Sequence, residues 1–238
     1  MTANADPRGR QPRGHAAHWS LVTSHPAVPV SPARVVLLTG PSGSGKSSFA
    51  ARSGLPVLCL DDFYKEWDDP SLPRVAGSSD IDWDSPLSWD ADTAVAALAR
   101  LCGEGRTEVP VYDISTSSRT GAGVLDLRGA PLFVAEGIFA ADVVARCREL
   151  GILADAICLR GRPVTTFRRR LLRDLREARK PVGFLLRRGW RLMRAERGIV
   201  GRQVALGAVA CDGGEAVARL SRATAAQRLR SRFSGLSG

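Results

Sequence analysis

Lysine is nearly missing from this chain: among 34 basic residues only Lys46, Lys65 and Lys180 are lysines. In such arginine-rich company, a lysine placed directly after a glycine loop points to a position where arginine would not serve. Long apolar runs are absent too. No stretch approaches the roughly 18 residues that cross a bilayer, and MTANADPRGRQPRGHAAHW at the N-terminus lacks the apolar core of a secretory signal. A soluble, cytoplasmic protein is expected. The five cysteines (Cys59, Cys102, Cys147, Cys158, Cys211) show no C-x-x-C spacing, which argues against a zinc site or a disulfide framework. Small buried hydrophobes are their expected role. There is no internal repeat, and 238 residues at 44% hydrophobic content suit one sizeable α/β core with appendages.

A formal net charge of +10 looks at first like a nucleic-acid footprint. Its distribution argues otherwise. Between Arg160 and Arg197 basic residues far outnumber Asp174, Glu177 and Glu196, whereas the stretch from Asp61 to Asp92 is strongly acidic. No aromatic residues interleave with basic ones in the manner of a base-stacking surface. GPSGSGKSS at residues 40–48 is a glycine loop of the kind that holds nucleotide phosphates, a P-loop, so an ATP-dependent nucleic-acid binder or regulatory NTPase is the reading from another class, and it predicts salt-sensitive binding of a duplex.

Residues 1–33 are rich in Pro, Arg, Ser and Ala without a sustained period and are expected to form a mobile tail. The domain proper is expected over 34–238. Unbroken apolar runs at 35–39, 56–60, 131–135, 154–159 and 204–210 suit buried parallel strands. Helical patterns lie near 46–53, 89–102, 138–150, 163–179, 183–196 and 214–230, the second with Ser88 or Asp90 as cap. VPVYDIS and GVLDLR read as a small antiparallel excursion around the turn TGAG. The expected fold is a P-loop α/β domain with a parallel, roughly five-stranded sheet flanked by helices.

GPSGSGKSS follows the run VVLLT and precedes a helical pattern. Gly40, Gly45, Lys46 and Ser47 fit G-x-x-x-x-G-K-[ST], in which backbone N–H groups and a helix N-terminus hold phosphates, the lysine reaches the β/γ-phosphates and the hydroxyl ligates Mg²⁺. Gly40, Ser42, Gly43, Ser44, Gly45, Lys46, Ser47 and Ser48 are therefore candidates for the phosphates of ATP. After the next strand comes LDDFYK, which places a carboxylate where open α/β sheets put their ligands. Such a group can take the proton of an attacking hydroxyl or hold Mg²⁺ through water. Asp61 and Asp62 both qualify.

These stretches, with DWDSPLSWD, VPVYDISTSSR, VAEGI and RRRLLRD, occur in one order from about Arg34 to about Gly214. They resemble the uridine kinase and phosphoribulokinase family of P-loop kinases, and within it the uridine–cytidine kinases. The resemblance implies ATP and Mg²⁺ as cofactors and transfer of the γ-phosphoryl group to a primary hydroxyl of a small substrate, with uridine or cytidine as the leading acceptors. It implies Asp61 as catalytic aspartate, with Asp62 where a serine is usual, and Tyr64, Asp84, Tyr112 and Arg119 on the substrate side. Glu136 matches a magnesium-associated glutamate. Arg170 and Arg173 match lid arginines that reach over the phosphates, the substrate-side insert covering about 61–129 and the lid about 163–182. Where the family has E-R-G-R, this chain has Glu177, Ala178, Arg179 and Lys180. Ile114 and Ser117 replace an aromatic and a histidine that help read the pyrimidine. A hydrogen-bonding pocket is what rejects analogues strongly, so another small metabolite, such as a sugar phosphate, a vitamin precursor or another nucleoside, is the alternative acceptor.

Overall fold

The structure is a computed structural model, and it describes residues 32–161 and 197–234. The helices expected at 163–179 and 183–196, the lid, Arg170 and Arg173 lie outside the described residues, as does nearly all of the N-terminal segment 1–33.

Five parallel strands form the central sheet in the order β2-β5-β1-β6-β7. They are β1 (Arg34–Thr39), β2 (Val57–Cys59), β5 (Leu132–Glu136), β6 (Leu153–Leu159) and β7 (Val209–Cys211). Because alternate residues of a strand face opposite sides, β1 feeds two cores. Val35 and Leu37 join Phe133, Ala135 and Cys158 in a cluster with α2 (Ala91–Glu104) and α3 (Val144–Glu149). Val36 and Leu38 join Val134, Ile157 and Leu159 beneath α1 (Lys46–Arg52) and the long terminal helix (Gly213–Ser234). The unbroken apolar sequence of β1 and β5 follows from this coverage on both faces.

Asp90 caps α2, its carboxylate accepting from Thr93 N at 3.0 Å. A two-stranded antiparallel ribbon follows, β3 (Arg106–Asp113) with β4 (Ser118–Asp126). Its turn is not the expected TGAG. Asp113 Oδ1 accepts from both Ser115 N (2.8 Å) and Ser115 Oγ (2.7 Å), and Ser117 takes φ 50°. This side-chain-stabilised turn reverses the chain before Gly121 and Gly123, which lie within β4 opposite Val111 and Val109.

The strand expected over 204–210 is also corrected. A helix, α4, covers residues 197–205. Val200 and Leu206 pack against the core while Gln203 between them is buried, a three-residue spacing that belongs to a helix. Gly207 at φ 100° reverses the chain, and only Val209–Cys211 pairs with β6. The terminal helix is accordingly α5. No helix among the described residues is long and apolar enough to cross a membrane.

Candidate active site

The C-terminal ends of β1, β2 and β5 converge, and the chain leaves each in a different conformation. After β1 the loop needs glycine for space and for backbone shape. Gly40 has φ 142°, and a Cβ there would stand 2.5 Å from Leu159 O. Gly43 and Gly45 have φ 79° and 98°, values that side-chain-bearing residues rarely adopt. Lys46, only 7% exposed, donates from Nζ to Gly40 O at 3.0 Å, so the ammonium lies across the mouth of its own loop. Ser44 is buried, with an Oγ that has no hydrogen-bond partner among the described residues, whereas Ser47 and Ser48 open to solvent at the start of α1. Ser42 is half-buried.

β5 delivers Glu136, 6% exposed. Ser47 Oγ donates to its Oε1 at 2.7 Å, while Oε2 is buried without a hydrogen-bond partner among the described residues. Burial raises the Glu136 carboxyl above the ordinary range. The Ser47 hydrogen bond and the Lys46 charge oppose this, and the neighbouring carboxylates Asp61 and Asp62 add to it.

β2 ends in a single 3-10 turn, Leu60–Phe63, which sends the two adjacent aspartates in different directions. Asp61 Oδ1 accepts from Ile138 N at 3.0 Å. Burial pushes its carboxyl up, against the lowering effects of Lys46 and of the Ile138 N–H. Asp62 is also raised by burial, but it interacts with the Cys59 thiol and the Tyr112 backbone, toward the ribbon. The turn is anchored from α2's side by Trp89, whose Nε1 donates to Leu60 O at 2.7 Å. Gly137 leaves the room that Asp61 occupies: a Cβ on it would meet Leu60 Cβ at 2.8 Å and Asp61 Oδ1 at 2.9 Å.

Beyond Asp61 lies an aromatic wall. The Tyr64 ring has Trp83, Tyr112 and Phe139 at centroid distances of 6.0, 5.8 and 5.9 Å, within the range of favourable edge and offset contacts. Tyr64 OH donates to Trp83 O at 3.4 Å and Tyr112 OH to Lys65 O at 3.1 Å. Asp84 is exposed but close enough to raise the Tyr64 phenol, after burial and Asp61. Arg119 lies 3.6 Å from Asp90, on the same side. Ile114 is 66% exposed, so the side chain at this position contributes no wall. The Ser117 hydroxyl bonds the Tyr112 phenol. Sequence reasoning missed Gly137, Ile138, Trp83 and Phe139. The glycine in VAEGI was the available signal for the first two.

Sheet order, glycine loop and strand-end carboxylates together make this a P-loop kinase fold. The same fold occurs in a crystal structure from Silicibacter sp. TM1040 described as a candidate fructose transport system kinase. It has a TM-score of 0.51 and 19% identity, over 74% of this chain and 87% of that one. No family model matches the chain, but curated relatives do. It is 32% identical over 165 residues to a uridine kinase of Schizosaccharomyces pombe, spanning 64% of this chain and 34% of the relative. It is 28% identical over 156 residues to a uridine kinase of Ureaplasma urealyticum, spanning 60% and 70%. By sequence, then, the chain is a relative of the uridine kinases, although it covers only about a third of the length of the first of them.

Proposed function

We propose that this protein transfers the γ-phosphoryl group of ATP to a primary hydroxyl of a small substrate, with uridine and cytidine as the first acceptors to test. The observation that carries the reading is the placement of Asp61. Its carboxylate is fixed by one backbone N–H at the strand edge that also holds the glycine loop, Lys46 and Glu136, and the aromatic wall around Tyr64 adjoins it.

In this reading the loop amides and Lys46 hold the triphosphate. Asp61 orients the acceptor hydroxyl and takes its proton as the oxygen attacks the γ-phosphorus, and the bond from that phosphorus to the β-bridging oxygen breaks. The raised carboxyl of Asp61 suits this role, because a base nearer neutrality has more driving force to accept a proton. Tyr64 and Tyr112 pack the acceptor, and Arg119 and Asp84 border it. Arg170 and Arg173 lie outside the described residues, and their part in this reading, positive charge for the phosphates, rests on the motif RRRLLRD alone.

The donor set also fits Mg²⁺. Ser47 Oγ and Glu136 Oε2, the latter without a hydrogen-bond partner among the described residues, are oxygen ligands of the type a hard cation takes. Among the described residues no group of three or more His, Cys, Asp or Glu could hold a metal unaided, so phosphate oxygens and water would complete the shell. Bound there, the ion supplies neutralisation of developing phosphate charge.

A second reading, with a different small alcohol as acceptor, is favoured by the solvent-facing Ile114 and by Ser117 being engaged with Tyr112. Both leave the base-reading positions without a ring. ATP consumption with Mg²⁺ is to be measured with uridine, cytidine and a panel of sugar phosphates and vitamin alcohols. Acceptor-dependent turnover that falls by a factor of about a hundred or more in Asp61→Asn, with ATP binding retained, is expected. Near-normal turnover in Asp61→Asn would remove Asp61 as the base and leave Asp62 as the next candidate.

A further inference from the structure

A buried glutamine on α4, remote in sequence from every motif described above, is connected to Asp61 through one residue. Gln203 is 2% exposed. Its Oε1 accepts from Cys158 Sγ at 3.1 Å and its Nε2 donates to Ile138 O at 3.1 Å. Ile138 O can only accept, which fixes the amide with its NH₂ toward that carbonyl and its oxygen toward the thiol. Thr39 Oγ1, at the end of β1, donates to the same carbonyl at 3.2 Å. Gly137 N is bonded to Leu38 O at 3.1 Å, and Arg202, next to Gln203, pairs with Asp142 in the following 3-10 turn. The peptide at 137–138 is therefore held from both sides. Its outward N–H is the one that Asp61 accepts.

Leaving a polar side chain in a core is costly unless its bonds are made, and packing at position 203 alone would be served by an apolar residue. We propose that Gln203 is a positioning residue for Asp61, acting through Ile138 by clamping the carbonyl of the residue whose amide aims the carboxylate. This inference rests on the reading of Asp61 as the base, yet it can be tested apart from turnover. With Gln203 removed, Thr39 is the side-chain donor that Ile138 O keeps among the described residues, and the residue gains freedom to rotate its N–H away from Asp61.

The test uses the ligand-free full chain labelled with ¹⁵N and follows hydrogen–deuterium exchange of the Ile138 amide, whose hydrogen is the one donated to Asp61. In Gln203→Met, similar in length but without hydrogen-bonding atoms, that amide should exchange about tenfold faster or more, while the amides of Val36 and Val134 in the central sheet keep their protection, which separates a local loosening from loss of global stability. Gln203→Asn, one methylene short of Ile138 O, gives the same readout should the methionine variant not fold. With an active acceptor, both variants should show kcat about tenfold lower, equivalent to about 1.4 kcal/mol, and an unchanged KM for ATP. Unchanged protection of Ile138 relative to the sheet amides in both variants, even with lowered thermal stability, would overturn the proposal and leave Gln203 a core residue only. If instead the Ile138 amide loosens while Asp61→Asn retains turnover, the clamp stands and the role of Asp61 as base fails.

Discussion

A sharp test of the site's packing adds one methyl group, Gly137→Ala. Gly137 has no positive φ, so strain would come from space alone. An added Cβ would stand 2.8 Å from Leu60 Cβ and 2.9 Å from Asp61 Oδ1, where carbon atoms normally approach to about 3.5–4.0 Å. Neither neighbour is a free end. Leu60 is fully buried and its carbonyl is held by Trp89, and Asp61 is held by Ile138 N. Something must therefore shift by more than about half an ångström. Overpacking of this kind costs about 1–3 kcal/mol, which for a chain of this size lowers Tm by roughly 2–12 °C at about 2–4 °C per kcal/mol. Because the displaced groups carry Asp61, and a misplacement of about 1 Å costs on the order of a hundredfold in rate, turnover should fall about ten- to a hundredfold while ADP still binds the glycine loop. Thermal melts, ADP titration and steady-state ATP consumption measure the three quantities. Gly103→Ala is the control. It lies in α2 with nothing within 4 Å of the added Cβ, and it should stabilise by about 0.4–1 kcal/mol. Wild-type turnover and stability in Gly137→Ala would refute the argument that the 60–61 and 137–138 segments are locked together.

Three further outcomes follow from the same geometry. Trp89→Phe deletes the donor to Leu60 O and should cost about 1–3 kcal/mol in urea unfolding, the usual penalty for a buried acceptor left unmet. Both Asp61 and Glu136 are raised by burial, so the ligand-free fold binds their protons more tightly than the unfolded chain does. Their contribution to stability is then present below the ordinary carboxylate range and lost as pH rises through the raised folded values. Glu136→Gln should flatten that decline in thermal melts and leave the ligand-free protein more stable near neutrality. It should also weaken Mg²⁺-dependent turnover, which a magnesium titration would show. Gly40→Ala places a Cβ 2.5 Å from Leu159 O at φ 142° and should abolish ATP binding in equilibrium titration.

Much of this molecule was written into local sequence. VVLLT and PLFVA read as buried strands because β1 and β5 are covered on both faces, so that no alternation could survive. GPSGSGKSS declared its loop because positive φ at Gly43 and Gly45 restricts those positions to glycine. Glu136 was legible because a carboxylate directly after an apolar strand falls at the sheet's ligand-binding edge. Where local signals competed, they misled. The glycines of TGAG suggested a turn that Asp113 formed seven residues earlier through its own side chain. VALGAVA suggested one strand, but Gly207 divides it between α4 and β7.

Tertiary structure decided the rest. Asp61 and Asp62 are adjacent and chemically identical, and only the 3-10 turn after β2, pinned by Trp89, sends one to Ile138 and Lys46 and the other to Cys59 and Tyr112. The gap that Asp61 fills exists because Gly137, 76 positions further along the chain, directly follows the neighbouring strand β5. Gln203 contacts Ile138 across a separation of 65 residues, and nothing in RQVAL marks it as other than a surface polar residue. Composition and periodicity report on neighbours within a few positions, which is enough to form a strand, a glycine loop and a helix cap. The aim of a carboxylate depends on backbone groups brought together by the register of β1 with β5 and β6, and that register is set by burying two apolar cores at once.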